Sequence, residues 1–213
     1  MASIWTWGQD VSVLREALKR GGILAIPTES SYGLATDPLS SRGVEAVFEI
    51  KGRAPDKPLP VVVANLDQAY ALGVRRVSAG LAEAAARWPA ALSLLVELEA
   101  PIPASAGSRT LALRIPAHQR LRELLAALGT PLTATSANAS GQPSMTSPAE
   151  TEALLAGTDA WLVDDGVLPG GPPSTLVRWR GGGFSILRPG RYPHQLLVNG
   201  ARPEQRSTPI PPR

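Results

Sequence analysis

The sequence predicts a single α/β (or α+β) domain carrying one mixed sheet flanked by helices, and three observations predict it. Segments of helical and strand periodicity interleave over residues 10–190. A length of 213 residues is enough to bury one substantial core, with no internal repeat or domain-sized change in composition. A hydrophobic content of 44% beside 18% charged residues is that of an ordinary globular chain.

Each element has its own signal. Asp10 is placed to cap a first helix carrying Val11, Leu14 and Leu18, which Gly21-Gly22 stops. GGILAIP (21–27) follows as a short buried strand. Val44, Val47 and Phe48 mark a second helix ending near Lys51-Gly52, and LPVVVA (59–64) is the next strand. Asn65 to Gln68 has the spacing of a capping box, and SAGLAEAAARW (78–88) is a helix ended by Pro89. SLLVEL (93–98) and TLALRI (110–115) alternate as strands. Leu121, Leu124, Leu125 and Leu128 form one helical stripe, followed by a strand over 131–135. Ser147-Pro148-Ala149-Glu150 combines an N-cap, a proline at the first helical position and a glutamate three residues after the cap. AWLVDD (160–165), STLVRW (174–179) and FSILR (184–188) are strands, the last two joined at Gly181-Gly182-Gly183. Residues 1–190 thus form the domain, and the Pro/Arg-rich composition of 191–213 predicts a mobile tail.

Composition excludes several chemistries. No run approaches the roughly 20 apolar residues of a membrane span. The N-terminus lacks the basic-then-apolar layout of a signal peptide, so a cytoplasmic protein is expected. The absence of cysteine removes disulfides, thiolate nucleophiles and Cys-based metal sites. With His118 and His194 the only histidines, a His-rich metal site is excluded too. A net charge of +3 is compatible with an anionic ligand and low for a dedicated nucleic-acid binder.

Polar groups concentrate at the ends of strands, where open α/β sheets collect ligands. The segments are PTESSYGL (27–34), KGRAPDKP (51–58), Arg114 inside an apolar strand, SANASGQPS (136–144), GGPPST (170–175) and Arg188-Pro-Gly. Hydroxyls and backbone N–H groups cradle phosphate oxygens, while Lys51, Arg53, Lys57, Arg114 and Arg188 supply charge. The same set suits a carboxylate, which Arg114 can take bidentately. No nucleophile or acid pair accompanies them, so positioning and charge stabilisation carry the chemistry, as in phosphoryl or nucleotidyl transfer. Taken singly, each segment also reads as an ordinary turn, Lys51 and Arg53 as a basic helix end, and Arg114 as a snorkelling edge residue. The tryptophans read as packing groups and the histidines as structural or surface residues. Neither a P-loop nor a dinucleotide fingerprint is present.

Taken in order, PTESSYGL, KGRAPDKPL, LRIP, SANASGQPS, STLV and LRPG resemble the YrdC-type L-threonylcarbamoyladenylate synthases, in their short single-domain form, over residues 10–190. The resemblance implies a twisted open sheet with a concave, basic face. It implies that L-threonine, bicarbonate (or CO2) and ATP, with Mg2+ arriving on the nucleotide, give threonylcarbamoyl-AMP and pyrophosphate. A separate transferase complex then modifies tRNA to N6-threonylcarbamoyladenosine, with tRNA met indirectly or weakly. By the same resemblance Lys51, Arg53, Ser136 and Asn138 surround the reacting centre. Arg53, Lys57, Thr110, Ser136, Ser144 and Arg188 hold ATP, while Ser30, Tyr32, Arg114 and Ser174 hold threonine. No protein side chain is implied as a metal ligand.

The chain departs from that family in places. Many members have threonine at Ser30, and a longer subgroup has histidine at Val62, which removes or replaces one threonine contact. Ser136-Ala137-Asn138 is intact, which favours the synthase over a paralogue hydrolysing acyl-adenylates or an RNA-binding module using the basic face.

Overall fold

Strand pairing divides residues 2–52 and 57–198, those that this computed structural model describes, into two mixed sheets where the sequence suggested one. The first runs β1 (Ser3–Thr6), β9 (Trp161–Asp164), β2 (Leu24–Pro27), β3 (Tyr32–Ala35), β8 (Thr135–Ser136). The second runs β11 (Gly183–Arg188), β10 (Thr175–Arg180), β5 (Leu92–Glu97), β6 (Thr110–Arg114), β4 (Val61–Val62), β7 (Leu132–Thr133). The strand expected over 131–135 is split between them at Ala134, whose N–H donates to the Pro60 carbonyl at 2.7 Å. Across the same junction Thr36 N–H donates to Thr133 Oγ1 at 2.9 Å, and Thr133 N–H returns a bond to the Thr36 carbonyl at 2.9 Å. Alternation along a strand reports which face is buried but not which strand lies alongside, so the division was not legible. Class and single-domain architecture are as expected; the sheet count is corrected.

Two strands were read as polar or unassigned segments. β3 lies inside PTESSYGL, where Pro27 pairs with Tyr32, making Thr28–Ser31 the loop of a β2–β3 hairpin. β1 is short and pairs in parallel with β9 only.

The helices α1 (Ser12–Lys19), α2 (Ser41–Lys51), α3 (Leu66–Ala71), α4 (Ala79–Ala85), α5 (Gln119–Leu128) and α6 (Pro148–Leu154) occupy the expected places. Ser147 and Glu150 close the full capping box of α6. At α3 the Asn65 side chain accepts from Gln68 N–H, but Gln68 Oε1 reaches back to Ala64 N–H rather than to the cap residue. Asp10 lies one residue before the structural cap Val11 and receives Ser12 N–H at 2.9 Å. Gly52 ends α2 at φ 60°, a left-handed conformation that glycine enters without a Cβ penalty.

Burial follows the stripes. α1 and α5 press Leu14, Leu18, Leu121, Leu124, Leu125 and Leu128 against Ile26, Val62 and Leu132. Val44, Val47 and Phe48 of α2 pack with Tyr32, Leu34 and Leu162 on the first sheet. α3 and α4 cover the second sheet through Ala69, Leu81 and Ala84. Trp5 and Trp88 are buried, consistent with packing roles. Residues following 190 begin inside the fold: Tyr192 packs against the second-sheet core, and α7 (Gln195–Val198) buries Leu197 there. The expected tail beyond residue 198 lies outside the described residues. Among the described residues no helix is long and apolar enough to cross a membrane.

Gly190 allows the segment after β11 to cross the strand entering β10. A Cβ there would lie 2.3 Å from the Pro173 carbonyl oxygen and 2.6 Å from both Ser174 C and Thr175 N. Backbone cannot move aside as a side chain can, so overpacking falls on residues 173–175. Gly190→Ala is expected to destabilise the domain by at least about 1–3 kcal/mol. A denaturant-unfolding series on both proteins checks it, and equal midpoints would refute the close crossing.

Candidate active site

The strand ends converge on a cleft of about 430 Å³. Its lining includes Ser30 and Tyr32 from the β2–β3 hairpin, Lys57, Arg114 at the end of β6, Ser136 and Ser144 from the loop after β8, Ser174 before β10, and Arg188 at the end of β11. Elements far apart in sequence therefore bring together the residues expected for both ligands.

Arg114 is 7% exposed on a strand held between two others, so the snorkelling-edge reading does not apply. Its Nη2 donates to Glu29 Oε2 at 3.0 Å, Nη1 reaches Ser174 Oγ at 3.4 Å, and Nε is buried without a partner. Glu29 Oε1 also accepts Ala117 N–H at 2.7 Å. Ser174 Oγ is shared further, lying 2.9 Å from Ser93 Oγ and 3.5 Å from Arg188 Nη2. Arg188 Nη2 also donates to the Ser174 carbonyl at 3.0 Å. Desolvation, followed by repulsion from Arg114, lowers the Arg188 pKa from its ordinary value. Two guanidinium groups thus meet at one serine, with one carboxylate on the far edge of Arg114.

The other wall is the loop after β8. It is tied to β3 by Ala137 N–H to the Tyr32 carbonyl and by Tyr32 N–H to the Met145 carbonyl, each at 2.9 Å. Gly141, at φ 82°, takes the left-handed turn that returns the chain. Ser136 Oγ donates to Asn138 Oδ1 at 2.7 Å. Asn138 Nδ2 closes the loop on the Gln142 carbonyl.

Three expected positions lie outside this lining. Lys51 is 3% exposed and does not line the cleft; its Nζ donates to the Ser136 carbonyl at 2.7 Å, Asn138 Oδ1 at 2.7 Å and the Asn138 carbonyl at 3.2 Å. These three contacts have Lys51 hold the loop from behind. Asn138 is likewise committed to Lys51, Ser136 and Gln142 and lies outside the lining. Thr110 shares a face of β6 with Arg114 but sits about 13 Å along it at strand rise. It lines a different cleft with Arg178 and Glu97.

Tyr32 reaches the cleft but turns its hydroxyl away, donating to the Gly166 carbonyl at 2.8 Å and accepting Asp165 N–H at 3.1 Å. Burial raises its pKa. Val62 is fully buried in the core with Ile26 and Leu121 and is not in the lining. Arg53 lies outside the described residues. His118 caps α5 through Nδ1 and pairs with Asp165 through Nε2 at 2.9 Å, a structural role.

Sequence reasoning missed Glu29 and Ser93. Glu29 sits inside PTESSYGL, where its charge was the available signal. Ser93 lies between Leu92 and Leu94 in β5, and a buried hydroxyl in that apolar run was its signal. Among the described residues no group of three or more His, Asp or Glu side chains is placed to hold a metal ion.

Comparison with known proteins accords with this arrangement. A Sua5/YciO/YrdC family model, described as "Telomere recombination", matches residues 16–190. A threonylcarbamoyl-AMP synthase of Pyrococcus abyssi is 32% identical over 178 residues, covering 83% of this chain and 52% of its own length. One from Xanthomonas campestris pv. campestris (strain B100) is 36% identical over 178 residues, covering 79% of this chain and 92% of its own. The crystal structure of P. abyssi Sua5 complexed with L-threonine superposes with a TM-score of 0.82 at 27% identity, over 94% of this chain and 61% of that one. The chain therefore spans about half the length of the first of these relatives and nearly all of the second. With the model match running across both sheets and every wall of the cleft, the chain belongs to the Sua5/YciO/YrdC family.

Proposed function

We propose that the chain catalyses the formation of threonylcarbamoyl-AMP and pyrophosphate from L-threonine, bicarbonate or CO2, and ATP. The observation that carries this reading is the meeting of Arg114 and Arg188 at Ser174 in a hydroxyl-lined cleft, within a family whose relatives bear that name. Arg114, Ser30 and Ser174 form the amino-acid subsite. Arg188, Lys57, Ser136 and Ser144 form the nucleotide subsite, which Arg53 completes. This reaction is the first step of tRNA N6-threonylcarbamoyladenosine modification, and a downstream transferase complex takes the threonylcarbamoyl group onward.

The chemistry suits these groups. The threonine amine attacks CO2 and loses a proton, giving a carbamate. A carbamate oxygen then attacks the α-phosphorus, and the bond to pyrophosphate breaks. No covalent enzyme intermediate is needed, so the protein contributes orientation and stabilisation of charge on the phosphate oxygens. Mg2+ belongs to the nucleotide in this reading, held by phosphate oxygens, which accords with the hydroxyl and cationic character of the lining. Ser136 faces the cleft while its proton is engaged by Asn138, leaving oxygen lone pairs and neighbouring N–H groups to order the ligand.

Pyrophosphate release from ATP is expected only when threonine and bicarbonate are both present, measured with a coupled pyrophosphate assay. ATP turnover indifferent to threonine points to a hydrolytic paralogue, and salt-sensitive tRNA binding without turnover points to an RNA-binding module; either refutes the reading. Arg114→Ala removes a charge-assisted contact and is expected to raise the threonine KM roughly 10- to 100-fold with the ATP KM little changed. Initial-rate kinetics in each substrate check the split. Lys51→Met leaves buried acceptors unpaired and is expected to cost at least about 2 kcal/mol of stability as well as activity. Ser136→Ala is expected to lose activity while melting near wild type, and calorimetric melting of both variants distinguishes the supporting group from the cleft-facing one.

A further inference from the structure

We propose that Glu29 is a positioning residue for the amino-acid subsite: it fixes which edge of the Arg114 guanidinium faces the cleft, and so sets selectivity for a free α-carboxylate. The inference rests on the proposed function and deepens it. An arginine side chain is long and rotamer-rich, and ordering it on binding would weaken the ligand. Here the fold itself supplies that order, through Glu29 on one edge of Arg114 and Ser174 on the other. Glu29 sits in the Thr28–Ser31 loop, whose backbone is fixed by Thr28 N–H to the Ser31 carbonyl at 3.1 Å and by Gly170 N–H to the Ser30 carbonyl at 2.8 Å. The Glu29 carboxylate is held at both oxygens, by Ala117 N–H at 2.7 Å and by Arg114 Nη2 at 3.0 Å. Glu29 itself is not part of the cleft lining, whereas Ser174, toward which Nη1 points, is. The Nη2 edge is therefore anchored behind the cleft and the Nη1 edge is turned toward it.

A base acting directly on substrate would have to reach the cleft, and Glu29 does not. Its charge has a second consequence. Arg114 and Arg188 approach one serine, at 3.4 and 3.5 Å from Ser174 Oγ, and repulsion from Arg114 adds to desolvation in lowering the Arg188 pKa. A carboxylate on the far edge of Arg114 relieves part of that repulsion without occupying the anion position. A substrate carboxylate then meets an oriented guanidinium with an unused proton on Nη1, since only one contact of that nitrogen, to Ser174 Oγ at 3.4 Å, is formed.

The test compares L-threonine with L-threoninamide, which lacks the carboxylate charge, in pyrophosphate-release kinetics on the full chain. Glu29→Ala is expected to raise the threonine KM about tenfold, to leave the ATP KM within about twofold, and to shrink the preference for threonine over threoninamide by about tenfold. Glu29→Gln loses the charge and keeps a single acceptor oxygen, which can serve Ala117 N–H or Arg114 Nη2 but not both. It is expected to show the same loss of preference at about a third of the size, and it carries the test should the alanine variant fold poorly. A purely structural role predicts that threonine, threoninamide and ATP constants shift together, and that result overturns the inference. Arg114→Ala separates the two levels. If it leaves the threonine KM unchanged, the subsite assignment itself fails; if it raises that KM while both Glu29 variants behave as wild type, only the role of Glu29 fails.

Discussion

Burying a cation in an apolar framework is costly unless its hydrogen-bonding capacity is met, and much of this fold is arranged around two such cations. Lys51 and Arg114 are 3% and 7% exposed, the first behind the loop after β8 and the second in the cleft lining. Lys51 donates to three oxygens of the segment from Ser136 to Asn138, which ties that loop in a fixed shape behind the cleft. Arg114 is met by a carboxylate from the β2–β3 hairpin and by the serine entering β10. Each cation thus ties together segments distant in sequence, and shifting any of those segments would strand a buried charge.

The junction at Ala134 makes this arrangement geometrically accessible. Because β7 and β8 are separated by one residue, the second sheet, which carries Arg114, hands the chain directly to the first, which presents the loop that Lys51 holds. Gly33 sits at the same place, where a Cβ would lie 3.2 Å from the Thr135 carbonyl oxygen, so β3 can approach β8 closely. The two walls of the cleft are then separated by a short rigid span, and the site inherits the stiffness of the sheets that bear it.

Local signals made most elements legible, and the limits were equally local. The capping box of α6, the leucine stripe of α5 and the glycine end of α2 each lie within a few residues, so sequence carried them. Division into two sheets depends on strand pairing, which is nonlocal, and β3 was hidden because its residues follow a polar hairpin loop. At the site a hydroxyl-rich, basic set was legible, but which of its members face the cleft was not. Whether Lys51 meets a ligand or a loop depends on which way its ammonium turns. Glu29 was passed over for the same reason, since only the folded chain sets it beside Arg114.

The pattern of compensation across the cleft bears on the ligands. Arg114 has a carboxylate partner, so that end of the cleft carries little net charge, as suits an amino acid that is itself a zwitterion. Among the described residues Arg188 donates to the carbonyl and hydroxyl of Ser174 and to no carboxylate, and its pKa is lowered first by desolvation and then by repulsion from Arg114. Together with Lys57, that end is suited to a polyanion, whose arrival would remove the repulsion rather than add to it. A nucleotide triphosphate therefore gains more at the Arg188 end than at the Arg114 end, and an amino acid loses less at the Arg114 end. The orientation of both substrates follows from how the positive charge is compensated, before any contact specific to adenine or to the threonine side chain is considered.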